Sequence, residues 1–113
     1  MIEIKRNYDY PNPKIVFEAK EKDEITAAIT GTIDENQVYR ITDYTGDKYL
    51  FDGVCRAALN NSEHEGAVSA VIEPSVPDWQ LMLFGYKREI PSISDFFEEK
   101  NCNCTCKNQP NNV

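Results

Sequence analysis

Along Met1–Arg6 the apolar Ile2 and Ile4 alternate with Glu3 and Lys5, the mark of a short half-buried strand. Tyr8–Pro13 is rich in proline, asparagine and aspartate, the residues of tight turns. Lys14–Lys20 reads as a second strand, and Glu21-Lys22-Asp23-Glu24 as a solvated hairpin tip. Ile25, Ala27, Ile29, Gly31 and Ile33 then recur at every second position, with Thr26, Thr30 and Thr32 between them. That spacing predicts a third strand with all five residues on the buried face. Asp34-Glu35-Asn36 turns the chain into a fourth strand, Val38–Tyr44. Short polar turns between successive strands demand an antiparallel meander.

The period then changes from 2 to 3.6. Leu50, Phe51, Val54, Cys55, Ala58 and Leu59 fall on one helical stripe, with Asp52, Arg56, Asn60 and Glu63 opposite. Asp47 or Thr45 can cap the start of this helix, and Gly66 supplies a left-handed cap at its end. Gly53 costs the helix about 1 kcal/mol relative to alanine, which fits either the close approach of another backbone or a plain surface glycine. Cys55 reads as a small core residue. Ala67–Ile72 is almost continuously apolar, as expected of a strand buried on both faces. Glu73-Pro74-Ser75-Val76-Pro77 ends it, Asp78 or Ser75 caps a short helix over Trp79–Phe84, and Gly85 closes that helix. Tyr86–Ile90 is a final strand, and Ser94 caps a last turn through Phe96, Phe97 and Glu98. The expected fold is α+β: a mixed, mostly antiparallel sheet of about six strands with one long amphipathic helix and one short helix. Residues 1–100 form a single domain, followed by a Cys/Asn-rich tail over 101–113.

With 113 residues, one domain is all the chain can build. Its 12 Lys and Arg stand against 19 Asp and Glu, a net charge of −7 that leaves no basic face for nucleic acid or for an anionic membrane. No run approaches the roughly 18 apolar residues of a membrane span, and Met1–Asn7 contains no apolar core of a secretory signal. Cys55 stands alone while Cys102, Cys104 and Cys106 crowd the tail, which is not the spread of a disulfide framework. A reducing cytoplasm is the expected compartment.

The order of these elements resembles the GNAT superfamily of N-acetyltransferases, over roughly residues 14 to 90. The resemblance rests on Phe51-Asp52-Gly53-Val54-Cys55-Arg56-Ala57-Ala58-Leu59, on Glu65-Gly66-Ala67-Val68 and on Leu83-Phe84-Gly85-Tyr86. These look like the family's long cofactor helix, its entry into the fifth strand and its closing Gly-aromatic element. The resemblance implies acetyl-CoA or another acyl-CoA as cofactor. Its diphosphate would lie on backbone N–H groups between the fourth strand and the long helix, an anion site at a helix N-terminus. The residues it places there are Ile41, Thr42, Asp43, Thr45, Gly46, Asp47, Lys48 and Tyr49. The usual Gln/Arg-x-x-Gly-x-Gly/Ala pattern is degenerate in this stretch: one glycine survives, the leading Gln or Arg is absent, and Asp47 adds negative charge beside a diphosphate.

Two further family features are missing. Many members use a tyrosine five residues before the closing aromatic as the acid for the departing thiolate, and Leu81 stands at that position. The helices that wall the acceptor site lie between the first two strands, where this chain has only Asn7–Pro13. Glu73, at the end of a buried strand, is a candidate base, and an exposed strand-end glutamate is the alternative. His64 suits the C-terminal dipole of the long helix. In the tail, Cys102, Cys104 and Cys106 place three thiols at alternate positions, where they can converge on a soft metal, form disulfides or serve no site. Three functions follow: an acetyltransferase-like GNAT protein with weak acyl-CoA affinity and weak or lost catalysis, an active N-acetyltransferase with a protein or peptide acceptor, or a thiol- or metal-binding adaptor on the same scaffold. A protein partner or a homodimer is compatible with each.

Overall fold

The computed structural model describes residues 1–101. Its six strands are β1 (Ile2–Arg6), β2 (Lys14–Glu21), β3 (Glu24–Ile33), β4 (Val38–Gly46), β5 (Ser69–Ile72) and β6 (Glu89–Ile90). They form one sheet in chain order, antiparallel throughout except for the parallel pair β4–β5. A 3₁₀ turn, Lys48–Leu50, leads into α1 (Phe51–His64), which is the crossover between the two parallel strands; α2 (Asp78–Phe84) and α3 (Ile93–Asn101) follow. The α+β fold is thus the one the residue pattern demands. No helix among the described residues is long and apolar enough to cross a membrane.

The core lies between α1 and one face of the sheet. Phe51, Val54, Cys55, Ala58 and Leu59 are all fully buried, and they meet Ile15, Ala19, Ile29, Tyr39, Ile41 and Ile72. Ser62 extends the stripe by one turn, its hydroxyl donating to Leu59 O at 2.8 Å, so burial leaves no polar atom unmatched there. Glu65 ends the helix, and Gly66 follows at φ 111°, as its C-terminal role requires.

Several boundaries and faces differ from the sequence reading. Ile25 is 56 % exposed rather than buried. A bulge is the reason: Ala19 pairs with Ala27 but Lys20 pairs with Ile25, so Thr26 is an extra residue and every side chain before it changes face. Ile2 and Ile4 are exposed because β1 is an edge strand with only the rim of α1 above it. β5 is shorter than Ala67–Ile72 and is buried on one face only, Ala70 and Ile72 being inside while Ser69 and Val71 are half-exposed. With only Asn7–Pro13 between β1 and β2, no helix is available there to cover the second face. The last strand shrinks to Glu89–Ile90 because Tyr86 N–H closes α2 on Leu81 O at 2.9 Å. Pro77, not Asp78 or Ser75, holds the N-cap position of α2, and it contributes no side-chain cap. Ser92, not Ser94, caps α3 by accepting Asp95 N–H at 3.1 Å. At Gly53 the neighbour is a side chain rather than a backbone: the Ile4 Cδ1 methyl would lie 3.1 Å from an added Cβ.

Two glycines should therefore respond oppositely. Gly46, at φ 108°, would drive a Cβ to 2.3 Å from Thr26 O, and Gly46→Ala should cost about 2–4 kcal/mol in urea unfolding. Gly53→Ala should gain up to about 1 kcal/mol from helix propensity, since the exposed Ile4 methyl can give way. Cys55, fully buried, should react with a thiol reagent only once the protein is unfolded.

Candidate functional site

The parallel pairing of β4 and β5 runs from Val38–Ser69 to Ile41–Ile72 and then stops. β4 continues to Gly46 against β3 alone, while the chain beyond β5 turns away through Glu73–Val76. The separation coincides with a second bulge. Thr30 pairs with Asp43 and Gly31 with Ile41, leaving Thr42 as the extra residue. The bulge sends Asp43 outward and brings Tyr44 onto the core face, where its ring meets Phe51 edge-on at 5.0 Å. The end of β4, the 3₁₀ turn and the β5–α2 turn therefore surround one gap, with the N-terminus of the long helix at its mouth.

The chain's own groups occupy this gap. Ile41 O accepts Glu73 N–H at 2.9 Å, and Thr42 O accepts the Ser75 hydroxyl at 2.5 Å. Gln80, 2 % exposed, reaches from α2 to donate its amide to Lys48 O at 2.9 Å. Asp47 caps the 3₁₀ turn, its Oδ1 accepting Tyr49 N–H at 2.8 Å and its O accepting Leu50 N–H at 3.1 Å. The helix α1 itself has Leu50 at its N-cap and no side-chain cap, so neither Asp47 nor Thr45 caps the long helix as the sequence suggested. The Tyr44 hydroxyl also donates to Asp47 O. The Asp47 carboxylate thus satisfies the first free N–H of the turn that leads into α1. Lys48 turns its ammonium over the Tyr49 ring, 5.3 Å from the centroid. One turn into the helix, Asp52 Oδ1 accepts the Tyr86 hydroxyl at 2.7 Å. With a carboxylate as cap and a second in the first turn, these residues do not fit an acyl-CoA diphosphate.

Of the residues singled out in the sequence, Ile41, Thr42, Gly46, Asp47 and Lys48 surround the gap by backbone or cap contacts, whereas Asp43, Thr45 and Tyr49 are exposed beside it. Glu73 is on the face away from α1, where its carboxylate pairs with Arg40 at 3.3 Å and Arg40 in turn pairs with Asp34 at 2.9 Å. Leu81 is buried in the core and His64 is exposed at the end of α1. Cys102, Cys104 and Cys106 lie outside the described residues, and among the described residues no group of acidic, His or Cys side chains is placed to hold a metal.

Sequence reasoning missed Gln80 and Arg88, polar residues whose partners are far away in the chain. Arg88 donates to four acceptors: Ile72 O at 3.2 Å, Glu73 O at 2.9 Å, Val76 O at 2.7 Å and Asp78 Oδ1 at 2.6 Å. It fixes the β5–α2 turn, and with it Ser75 and Gln80, at the mouth of the gap. A Gly-aromatic-Lys-Arg sequence after a short helix is the only local hint of that role.

The fold is GNAT-like, with no helix between the first two strands. No protein-family model matches the chain, and no curated protein matches it in sequence. The fold likeness is to an IAA acetyltransferase from Bacillus cereus ATCC 14579, which superposes with a TM-score of 0.59 at 12 % identity over 75 % of this chain and 74 % of that one. An aminoglycoside acetyltransferase from an uncultured soil metagenomic sample matches at TM-scores of 0.46, with 17 % identity in its sisomicin complex and 14 % in its trehalose complex. The match covers 90 % of this chain and 64 % of that protein, so this chain spans less than two thirds of its length.

Loss of the Arg88 fork should loosen the turn, and Arg88→Ala should lower the unfolding free energy by about 2–3 kcal/mol. Alkaline pH tests the buried phenols around α1. Burial holds the Tyr39 phenol above its ordinary 10.0. Burial, then the Cys55 thiol and the Asp52 carboxylate, do the same for Tyr86. Tyr44 is pushed up to about 12, by burial first and Asp47 second. These groups keep their protons in the folded state while the unfolded chain ionises near 10.0. Their contribution is complete below that pH and is lost as pH rises beyond it. Tyrosinate absorbance should rise in two stages, the second coinciding with loss of the far-ultraviolet dichroism.

Proposed function

We propose that this chain is an acetyltransferase-like GNAT-fold protein that has lost acyl transfer and holds acyl-CoA only weakly. The observation that carries the reading is the Asp47 carboxylate capping the 3₁₀ turn that leads into α1, in the stretch where the resemblance places the diphosphate. Ser75 and Gln80 add to it by engaging the carbonyls of Thr42 and Lys48 across the gap. A ligand entering there must first break those two hydrogen bonds and then approach a negative charge on a chain of net charge −7. Catalysis has no better footing. Leu81 carries no proton, and Glu73 is engaged with Arg40 on the opposite face of the sheet from α1.

Calorimetric titration with acetyl-CoA tests this directly. The wild-type protein should bind with a dissociation constant of about 1 mM or weaker. Asp47→Gly costs the turn only a few tenths of a kcal/mol as a cap and removes the charge, and it should tighten binding by about tenfold. Micromolar binding by the wild type, or its rapid acetylation of a common amine, would show that the gap opens and that the machinery is intact.

A further inference from the structure

Among the described residues β1 is the outermost strand of the sheet and pairs only with β2. Asn7 N–H donates to Val16 O at 2.8 Å, in line with the register that pairs Arg6 with Phe17. Antiparallel pairs alternate between hydrogen-bonded and non-hydrogen-bonded, so Lys5 and Glu3 share their backbone bonds with β2. The N–H and C=O groups of Ile2, Ile4 and Arg6 consequently point out of the sheet, a ready template for another strand. Beside them, Ile2 and Ile4 are 41 % and 36 % exposed.

We propose that this edge pairs with the β1 edge of a second copy of the chain, antiparallel and two-fold about Ile4, to make a continuous twelve-stranded sheet. The register follows from the side chains. Outward-facing backbone groups belong to the even residues, so the two strands can meet only with even residues opposite even ones. Centring on Ile4 places Ile4 opposite Ile4 and Ile2 opposite Arg6 as hydrogen-bonded pairs. Glu3 then faces the second copy's Lys5, and Lys5 its Glu3, in the non-hydrogen-bonded positions where side chains stand closest. Shifting the centre toward the N-terminus sets Glu3 against Glu3, and shifting it the other way sets Lys5 against Lys5. Only the register centred on Ile4 pairs opposite charges while using the whole strand. Glu3 and Lys5 are over 60 % exposed and, among the described residues, pair with each other at 3.6 Å. Arg6 offers no obstacle, because its guanidinium turns inward to Asn61, Glu65 and Asn12.

The contact is small. A five-residue edge buries less than the roughly 1,200 Å² of a stable complex, so association should be weak and concentration-dependent. Each copy carries a net charge of −7, which repels at long range. At physiological ionic strength the Debye length of about 8 Å screens that repulsion more than it screens the close Glu–Lys pairs.

Sedimentation velocity of the full chain, from about 10 µM to 1 mM in physiological salt, should show a reversible monomer–dimer equilibrium. Lys5→Glu and Glu3→Lys each turn both cross-strand pairs into like charges and should weaken the dimer by about tenfold or more. The double variant Glu3→Lys/Lys5→Glu restores opposite charges and should recover wild-type association, with circular dichroism verifying that each variant is folded. A wild type that stays monomeric throughout the range overturns the proposal. So does a dimer indifferent to Lys5→Glu, which places the interface elsewhere, or a double variant no better than the singles.

Discussion

The parallel pairing of β4 with β5 is the contact on which the rest of this molecule depends. Two parallel strands need a crossover, and α1 is that crossover; its apolar stripe, laid on the sheet, is most of the core. The bulge at Thr42 then directs β4 away from β5, so the fold opens a gap beside the N-terminus of its own main helix. Whatever fills that gap decides what the scaffold can do. Here the occupants are a carboxylate cap, a serine hydroxyl and a buried glutamine amide, each satisfying a backbone group.

One-sided burial shapes the remainder. α1 covers a single face, and the seven residues between β1 and β2 cannot form a helix for the other. That second face survives exposure through its composition: Thr30, Thr32, Glu18, Lys20 and Arg40 mix with a few small apolar residues, and Arg40 joins Asp34 and Glu73 across the strands. Opposite the sheet, a row of rings from Tyr44 through Phe51, Tyr86 and Phe96 to Phe97, each within 5.6 Å of the next, ties the end of β4 to α3. The aromatic row and the Arg88 fork hold α2 and α3 against a sheet whose last strand is only two residues long.

The alternation of apolar and threonine positions in β3 holds along only part of the strand. Ala27, Ile29 and Gly31 obey the period of two, and Ile25 does not, because one bulge lies between them. Local periodicity was nevertheless enough for six strands, the amphipathic helix and the α+β class, since each apolar stripe must be buried by something and the short turns leave few ways to do it. Asp47 was legible as a cap, although it serves the 3₁₀ turn and not the long helix.

Tertiary structure alone decided the partners. That Gln80 meets Lys48, that Ser75 meets Thr42 and that Arg88 gathers the β5–α2 turn depend on elements brought together across 10 to 33 residues of chain. No local preference encodes such meetings, because a hydrogen bond is specified by distance and direction in space, and those exist only once the strands have chosen their register. Burial has the same origin. The amino-acid sequence determined which faces were apolar enough to bury; which of them actually found cover was settled by the number of helices and by the position of each strand in the sheet.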